Sequence, residues 1–455
     1  MSGNLTEIKV NGLFNRKTYQ ISIRDNTLIL VGENGMGKTT VLKIIYGILS
    51  GDLRHIRQID FNDISATIDD KEYFFTHEEI GKSNKIPNSI FHELPSFIRR
   101  EIGVDKEGEL VDLDDISYAC KRMGYPLQDI VNRYNLEDKH PNIKYIKQAM
   151  NAQILYLPTY RRIEDDISYI MRGKNNNDNY ERNRYMYGEY KDEPDNIEII
   201  EFGMQDVKEK IEMKSLELRQ YSEKRFRDLT YMNLGDVVDR KYDIEDENFR
   251  HVTEADINKF WLCTARSSSN VLSKEQCRKI ISTITNIEQN NYDLNSKLLL
   301  YYFRKLIDLQ KDLERKEQSI RDYCNVCENY LYNKSVVYDD STFEVKVING
   351  DIRNIEKRKI DKNIIDIGHL SSGEKQILSL FSQLYLSKRK KFFVIIDEPE
   401  LSLSVPWQKT FLEDIRNSNL CTGLISATHS PFIYDNSLLK YAHGLGEYLL
   451  KDEIL

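Results

Sequence analysis

Four short stretches carry residue types that can do chemistry. The first is Gly32-Glu33-Asn34-Gly35-Met36-Gly37-Lys38-Thr39-Thr40, with the spacing G-x-x-x-x-G-K-T. Glycines let a backbone wrap closely around phosphate oxygens. Amides at the start of a following helix point at the anion, and the helix dipole favours it. In this arrangement Lys38 supplies a point charge to the β- and γ-phosphates of a nucleotide, and the Thr39 hydroxyl is placed to coordinate Mg²⁺. Asn34, Gly35, Met36, Gly37, Lys38, Thr39 and Thr40 are therefore the candidate nucleotide-binding set. The second stretch is Asp397-Glu398, an acidic pair that ends the apolar run Phe392-Phe393-Val394-Ile395-Ile396. The third is Leu370-Ser371-Ser372-Gly373-Glu374-Lys375-Gln376. Taken alone, it reads equally well as an ordinary helix start with a capping box. The fourth is Ser426-Ala427-Thr428-His429-Ser430-Pro431, where a histidine follows an apolar stretch.

The flanking residues predict elements that hold these groups. Thr27–Val31 is a short run of β-formers and reads as a buried strand, and Thr40–Tyr46 continues as a helix. Strand, glycine loop and helix thus come in the order a phosphate loop requires. The run 392–396 is apolar without alternation, as in a strand covered on both faces. Acids at its C-terminal end fall where open α/β sheets bind ligands. Apolar residues at Ile377, Leu378, Leu380, Phe381, Leu384 and Leu386 predict a helix after the serine-glycine stretch. Partial alternation and β-formers over Ile8–Ile23 and Ile59–Phe75 predict strands.

In this order the four stretches resemble the ABC-type ATPases. Residues 392–398 are similar to a Walker B strand, which implies that Asp397 holds Mg²⁺ and that Glu398 is the general base activating water. L-S-S-G-E-K-Q resembles the signature motif of that family. The resemblance implies that Ser371, Ser372, Gly373 and Glu374 meet the γ-phosphate of an ATP held by a second copy, in a head-to-tail dimer. It also implies that His429 bonds the γ-phosphate and senses its loss. A lone histidine after a strand is usually structural, but its T-H-S-P context favours the switch role. Glu400-Leu401-Ser402-Leu403 stands at the D-loop position along such an interface. The pattern is broken at Ile154-Leu155-Tyr156-Leu157-Pro158-Thr159, where Thr159 stands in place of the usual Q-loop glutamine. Arg161 is placed either near phosphate or in a surface salt bridge.

The fold expected is therefore α/β: an ABC-type P-loop ATPase head, with a parallel core sheet plus an antiparallel β subdomain, and a helical, partly coiled-coil insertion. Residues 1–170 form the N-terminal lobe, 171–344 the insertion and 345–455 the C-terminal lobe. Within the insertion, 172–196 reads as a mobile loop and 203–230 as a charged helix. Residues 273–333 read as a helical arm, with Leu299, Leu306, Leu309, Leu313, Ile320, Tyr323, Cys327 and Tyr330 in 3-4 spacing. That stripe fits either a coiled-coil arm or a helix packed on its own head.

Composition narrows the partners. A net charge of −8 over 455 residues argues against a surface built for nucleic acid. The run Lys388-Arg389-Lys390-Lys391 is the exception; it reads as a local basic patch or as the positive end of a helix. No stretch of about 18 apolar residues occurs, so no membrane span is expected. The polar start Met1-Ser2-Gly3-Asn4 lacks a secretory core, and a cytoplasmic protein is expected. Cys324 and Cys327 make a single C-x-x-C, which reads as helix packing or as half of a metal or redox site.

D-E-P-E-L-S-L with T-H-S-P resembles the SMC, RecF and OLD-like branch. With 26 residues after His429, the TOPRIM nuclease domain of OLD proteins is not expected in this sequence. The opening L-F-N-R and V-G-E-N-G-M-G-K-T-T, with Y-L-P-T-Y-R-R-I-E, is most similar to the AriA-type ATPases of PARIS antiphage systems. That resemblance implies ATP and Mg²⁺ as cofactors and self-association to a dimer or a higher oligomer. It further implies a separate effector, a TOPRIM nuclease in such systems, and a phage protein as trigger. The alternative is a RecF/SMC-like ATPase of DNA repair, which would bind nucleic acid with a steep salt dependence.

Overall fold

The computed structural model describes residues 3–33, 35–82, 85–86, 88–102, 111–112, 116, 119–120, 140–158, 196–198, 204–243, 251–266, 272–286, 293–351, 363–387 and 391–452. Packing divides the chain into two units, Met1–Glu201 with Lys388–Leu455, and Phe202–Ser387.

The first unit is built on two sheets. Strands β1 (Leu5–Leu13), β2 (Lys17–Ser22), β4 (Asp63–Ile68), β5 (Lys71–Thr76) and β15 (Leu449–Asp452) form an antiparallel sheet in the order β15-β2-β1-β4-β5. Alternate side chains of β2 and β5 are buried, so one face meets the core. The other sheet holds β3 (Thr27–Val31), β8 (Gln153–Leu157), β9 (Asn196–Glu198), β12 (Phe392–Asp397), β13 (Cys421–Thr428) and β14 (Ala442–Gly444). Its order is β14-β3-β13-β12-β8-β9, and every neighbouring pair is parallel. β12 is buried at every position, as its unbroken apolar run predicts, and so is β8, including its polar Gln153. A small ladder pairs β6 (Lys85–Ile86) with β7 (Val111–Asp112).

Helix α1 (Lys38–Ser50) joins both sheets into one core. Val41, Leu42, Ile44, Ile45 and Ile48 lie out of water with Ile8, Val10, Ile64 and Phe75 of the antiparallel sheet and Phe393, Ile395 and Ile425 of the parallel one. Each such side chain contributes about 1.5–3 kcal/mol relative to exposure. Helix α2 (Pro141–Met150) adds Ile143, Ile146 and Met150 to the same core.

The second unit is mainly helical. It contains α3 (Met204–Val238), α4 (Glu254–Ala265), α5 (Lys274–Asn286), α6 (Leu294–Glu328), the hairpin of β10 (Lys334–Asp339) and β11 (Glu344–Asn349), and α7 (Ser372–Leu386). α3 covers the expected charged helix of 203–230. The expected arm of 273–333 is described as α5 and α6, with α6 roughly 50 Å long at the usual rise. Its 3-4 stripe is covered by helices of its own chain. Phe260, Cys277 and Ile284 pack with Leu300, Phe303 and Ile307, while Tyr221, Phe226 and Cys263 pack with Leu309 and Leu313. Near the far end, the Tyr323 hydroxyl donates to Leu378 O at 3.5 Å, and the rings of Tyr330 and Phe381 lie 5.8 Å apart. The start of α6 is capped by Asp293, which accepts from Ser296 N, and α4 begins with a Thr253–Asp256 capping box. The expected loop of 172–196 lies outside the described residues, apart from Asn196 at the start of β9.

Cys324 and Cys327 are both buried in α6. Burial pushes the Cys324 thiol up to about 12 and the Cys327 thiol well above its ordinary value. Both are therefore protonated core groups, as the packing reading expects.

Candidate nucleotide site

The loop after β3 turns by conformation that only glycine adopts without strain. Gly35 has φ +82° and Gly37 φ +98°, and a Cβ at either would meet nothing within 4 Å. It is the left-handed backbone, not crowding, that calls for glycine at these two positions. Gly37 is the N-cap of α1 and has no side chain to satisfy the first amides of the helix. The first amides of a helix are the groups that favour an anion.

Lys38 lies against this loop. Its Nζ donates to Gly32 O at 2.7 Å and to Glu33 O at 3.1 Å, and lies 2.9 Å from His429 Nε2. Burial lowers the Lys38 pKa, against the opposing charges of Glu398, Asp397 and Glu400.

Thr39 Oγ1 donates to Asp397 Oδ2 at 2.9 Å, joining residues 358 positions apart. Two hard oxygen donors thus meet beside the phosphate loop. Such a set suits Mg²⁺, which takes few protein oxygens and completes its shell with water and phosphate. Glu398 follows β12 and has φ +50°, a left-handed conformation that costs a non-glycine residue roughly 1–2 kcal/mol. Its amide is held by Ala427 O at 2.8 Å. Its carboxylate lies 3.8 Å from His429 Nε2. Lys38, Thr39, Asp397, Glu398 and His429 are thereby brought together at the C-terminal ends of β3, β12 and β13.

Neighbouring residues not weighted by the motifs hold this group. Glu400 Oε1 accepts from His429 N at 2.7 Å and from Ser430 N at 3.2 Å, while its Oε2 accepts from Thr428 Oγ1 at 2.8 Å. Gln408, on α8 (Val405–Arg416), accepts from Ser430 Oγ at 2.7 Å and donates to Leu403 O at 2.9 Å. No spacing rule links position 400 with 429, so these contacts had no signal in the sequence beyond the placement of Glu400 in the loop.

The serine-glycine motif lies in the helical unit. Ser371 is the N-cap of α7: its hydroxyl accepts from Glu374 N at 3.3 Å, and Glu374 accepts from Ser371 N at 2.8 Å. The capping box is present, therefore, and Ser371 and Ser372 are exposed ahead of it. Lys334 donates to both Glu374 oxygens, at 2.7 and 2.8 Å. Burial works to raise the Glu374 pKa, but the Lys334 and Ser371 hydrogen bonds outweigh it and leave the carboxyl below its ordinary value. Lys334 was not visible as part of the motif because it lies 40 residues upstream.

Gly35, Met36 and Thr40 occupy the loop and the first turn of α1, as their positions in the motif require. Asn34, Thr159 and Arg161 lie outside the described residues, as do residues 388–390 of the basic run. No described helix is long and apolar enough to cross a membrane.

A family model described as an AAA ATPase domain matches residues 4–434. The chain belongs to this family of AAA-type ATPase domains, which implies ATP binding. No curated protein matches the chain. Among solved structures, the chain is similar to the Smc head domain of Pyrococcus furiosus, crystallised with an extended coiled coil and bound to the C-terminal domain of ScpA. Identity is 12%, coverage is 95% of this chain and 91% of that one, and the TM-score is 0.33. It is also similar to the Smc head domain of Pyrococcus yayanosii with a coiled coil and joint, at 14% identity, 95% and 93% coverage and a TM-score of 0.29.

Proposed function

We propose that the chain is an ATP-hydrolysing switch that works through a partner protein. The observation that carries the reading is the convergence of Lys38, Thr39, Asp397, Glu398 and His429 on one phosphate loop. Lys38 and the amides of the loop bind the β- and γ-phosphates. Thr39 and Asp397 would hold Mg²⁺, which when bound offsets the phosphate charge. Glu398 takes a proton from the water whose oxygen attacks the γ-phosphorus, as the bond to the β–γ bridging oxygen breaks. His429 contacts the γ-phosphate and registers its departure.

Ser371, Ser372, Gly373 and Glu374 act in trans in this reading, so two copies enclose two ATPs head to tail. Residues 1–170 and 345–455 serve as the two lobes of the head, and 171–344 transmits its state. The setting is antiphage defence in the cytoplasm: the chain holds a separate effector, a TOPRIM nuclease, until a phage protein triggers release. That setting is supported by the similarity of V-G-E-N-G-M-G-K-T-T and Y-L-P-T-Y-R-R-I-E to AriA-type ATPases.

The test is a pull-down of tagged Glu398→Gln protein from host cells before and during phage infection, read by mass spectrometry and by nuclease-sensitive absorbance. A stoichiometric protein partner that is lost or exchanged on infection supports the effector-holding switch. Abundant DNA without such a partner would replace it with a DNA-repair ATPase.

A further inference from the structure

Glu400 makes three contacts with three consecutive residues. One carboxylate oxygen takes the backbone N–H groups on either side of the His429 α-carbon, at 2.7 and 3.2 Å, and the other takes the Thr428 hydroxyl at 2.8 Å. Two amides aimed at one oxygen fix the peptide planes that flank His429, and hence the direction in which its ring leaves the chain. That ring is the one lying 2.9 Å from Lys38 Nζ and 3.8 Å from Glu398. Gln408 ties the same segment down from α8 through Ser430 Oγ and Leu403 O. Glu400 also stands two residues after Glu398, in a turn closed by Leu401 N donating to Glu398 O at 3.2 Å.

We propose that Glu400 is a positioning residue for ATP turnover: its carboxylate clamps the 428–430 loop so that His429 meets the γ-phosphate, and links that loop to the Glu398 turn. The proposal rests on the reading of His429 as the γ-phosphate contact. A plain structural staple would lower stability and leave chemistry alone. A clamp acting through His429 changes kcat and the preference for ATP over ADP. Displacement of a reacting group by about 1 Å is enough to cost on the order of a hundredfold in rate.

The experiment compares the full chain with Glu400→Ala, Glu400→Gln, His429→Ala and the Glu400→Ala/His429→Ala pair. It measures steady-state phosphate release, the affinity ratio of ATPγS to ADP, and thermal melting. Glu400→Ala is expected to lower kcat by about tenfold or more with KM changed less than about threefold, and to lower the affinity ratio. Glu400→Gln keeps an oxygen for both amides and should stay within about threefold of the parent. The pair should match His429→Ala alone within about threefold, because both changes act through one ring. Unchanged kcat and affinity ratio in folded Glu400→Ala would overturn the clamp. So would multiplied losses in the pair, or a Glu400→Gln as impaired as Glu400→Ala. If Glu400→Ala does not fold, Glu400→Asp, which draws the carboxylate back by one methylene, is read by the same criteria. A His429→Ala that hydrolyses and discriminates normally would sink the histidine reading itself. A loss in Glu400→Ala beside it would show that the two failures are separate.

Discussion

In the strand unit, Glu398 and His429 follow strand ends and keep contact with solvent, their side chains 27% and 31% exposed. In the helical unit, Arg266 and Glu317 meet at 2.9 Å with both side chains wholly out of water. Arg266 Nε donates to Asp340 O at 2.9 Å, Arg321 donates to Glu317 at 2.8 Å, and Arg266 stacks over the Phe343 ring at 5.2 Å. The first arrangement leaves charge accessible and fixes it through the backbone. The second pairs buried charge within the chain, joining α4 and α6 to the tip of the β10–β11 hairpin. A group that must receive a ligand needs an open side, whereas a buried charge that sets how helices meet needs an opposite charge from its own chain.

The sharpest test of that contrast is Glu398→Gln, which should lower turnover by about 10²- to 10⁴-fold, with ATP still bound and the melting temperature little changed. Phosphate release and nucleotide titration check it. A loss of stability with turnover intact would erase the difference between the units. Glu317→Ala should do the reverse. It leaves Arg266 buried without its partner, at a cost of about 3–5 kcal/mol in denaturant unfolding, and joint replacement of Arg266 and Glu317 by Met should recover most of it.

The serine-glycine motif sits between these extremes and can be split at adjacent residues. Ser371→Ala removes a helix cap and should cost about 1 kcal/mol. Ser372→Arg alters an exposed side chain and should stay within about 0.5 kcal/mol in stability. It should nonetheless abolish turnover if the motif works across two copies. Normal hydrolysis by Ser372→Arg would leave the motif a helix start and nothing more.

Acid gives a smaller effect. Glu374 has a folded pKa below its ordinary 4.5, so its contribution is complete above that value and fades as pH falls through the lower folded one. Urea midpoints followed from about pH 6 to about pH 3 should decline less steeply in Glu374→Gln than in the parent. The smallest effect is expected at Cys324 and Cys327. With thiol pKa values pushed up by burial, neither should react with a disulfide reagent in the folded protein near neutral pH, and chelators should leave melting unchanged.

Much of the site was legible because its rules are local. The glycines of 32–37, the apolar runs of β3, β8 and β12, and the capping residues of α7 each follow from the geometry of a few consecutive residues. The stripe on α6 was equally legible, but not what covers it. Periodicity reports that a face is buried and is silent on whether α3, α4 and α5 or a second chain buries it. Only the fold chose the chain's own helices.

The sequence by itself determined the phosphate loop, the acidic strand end, the helix start at Ser371 and the strands and helices that hold them. All of these are set by covalent geometry, side-chain period and the backbone demands of glycine. The tertiary structure alone decided that β13 lies between β3 and β12, which brings His429 to Lys38 across 391 residues and Asp397 to Thr39 across 358. It alone turned Glu400 onto the 428–430 loop and Lys334 onto Glu374. Strand order and such distant pairs are fixed by which buried faces fit one another, and that information is spread over the whole core rather than written at any one position.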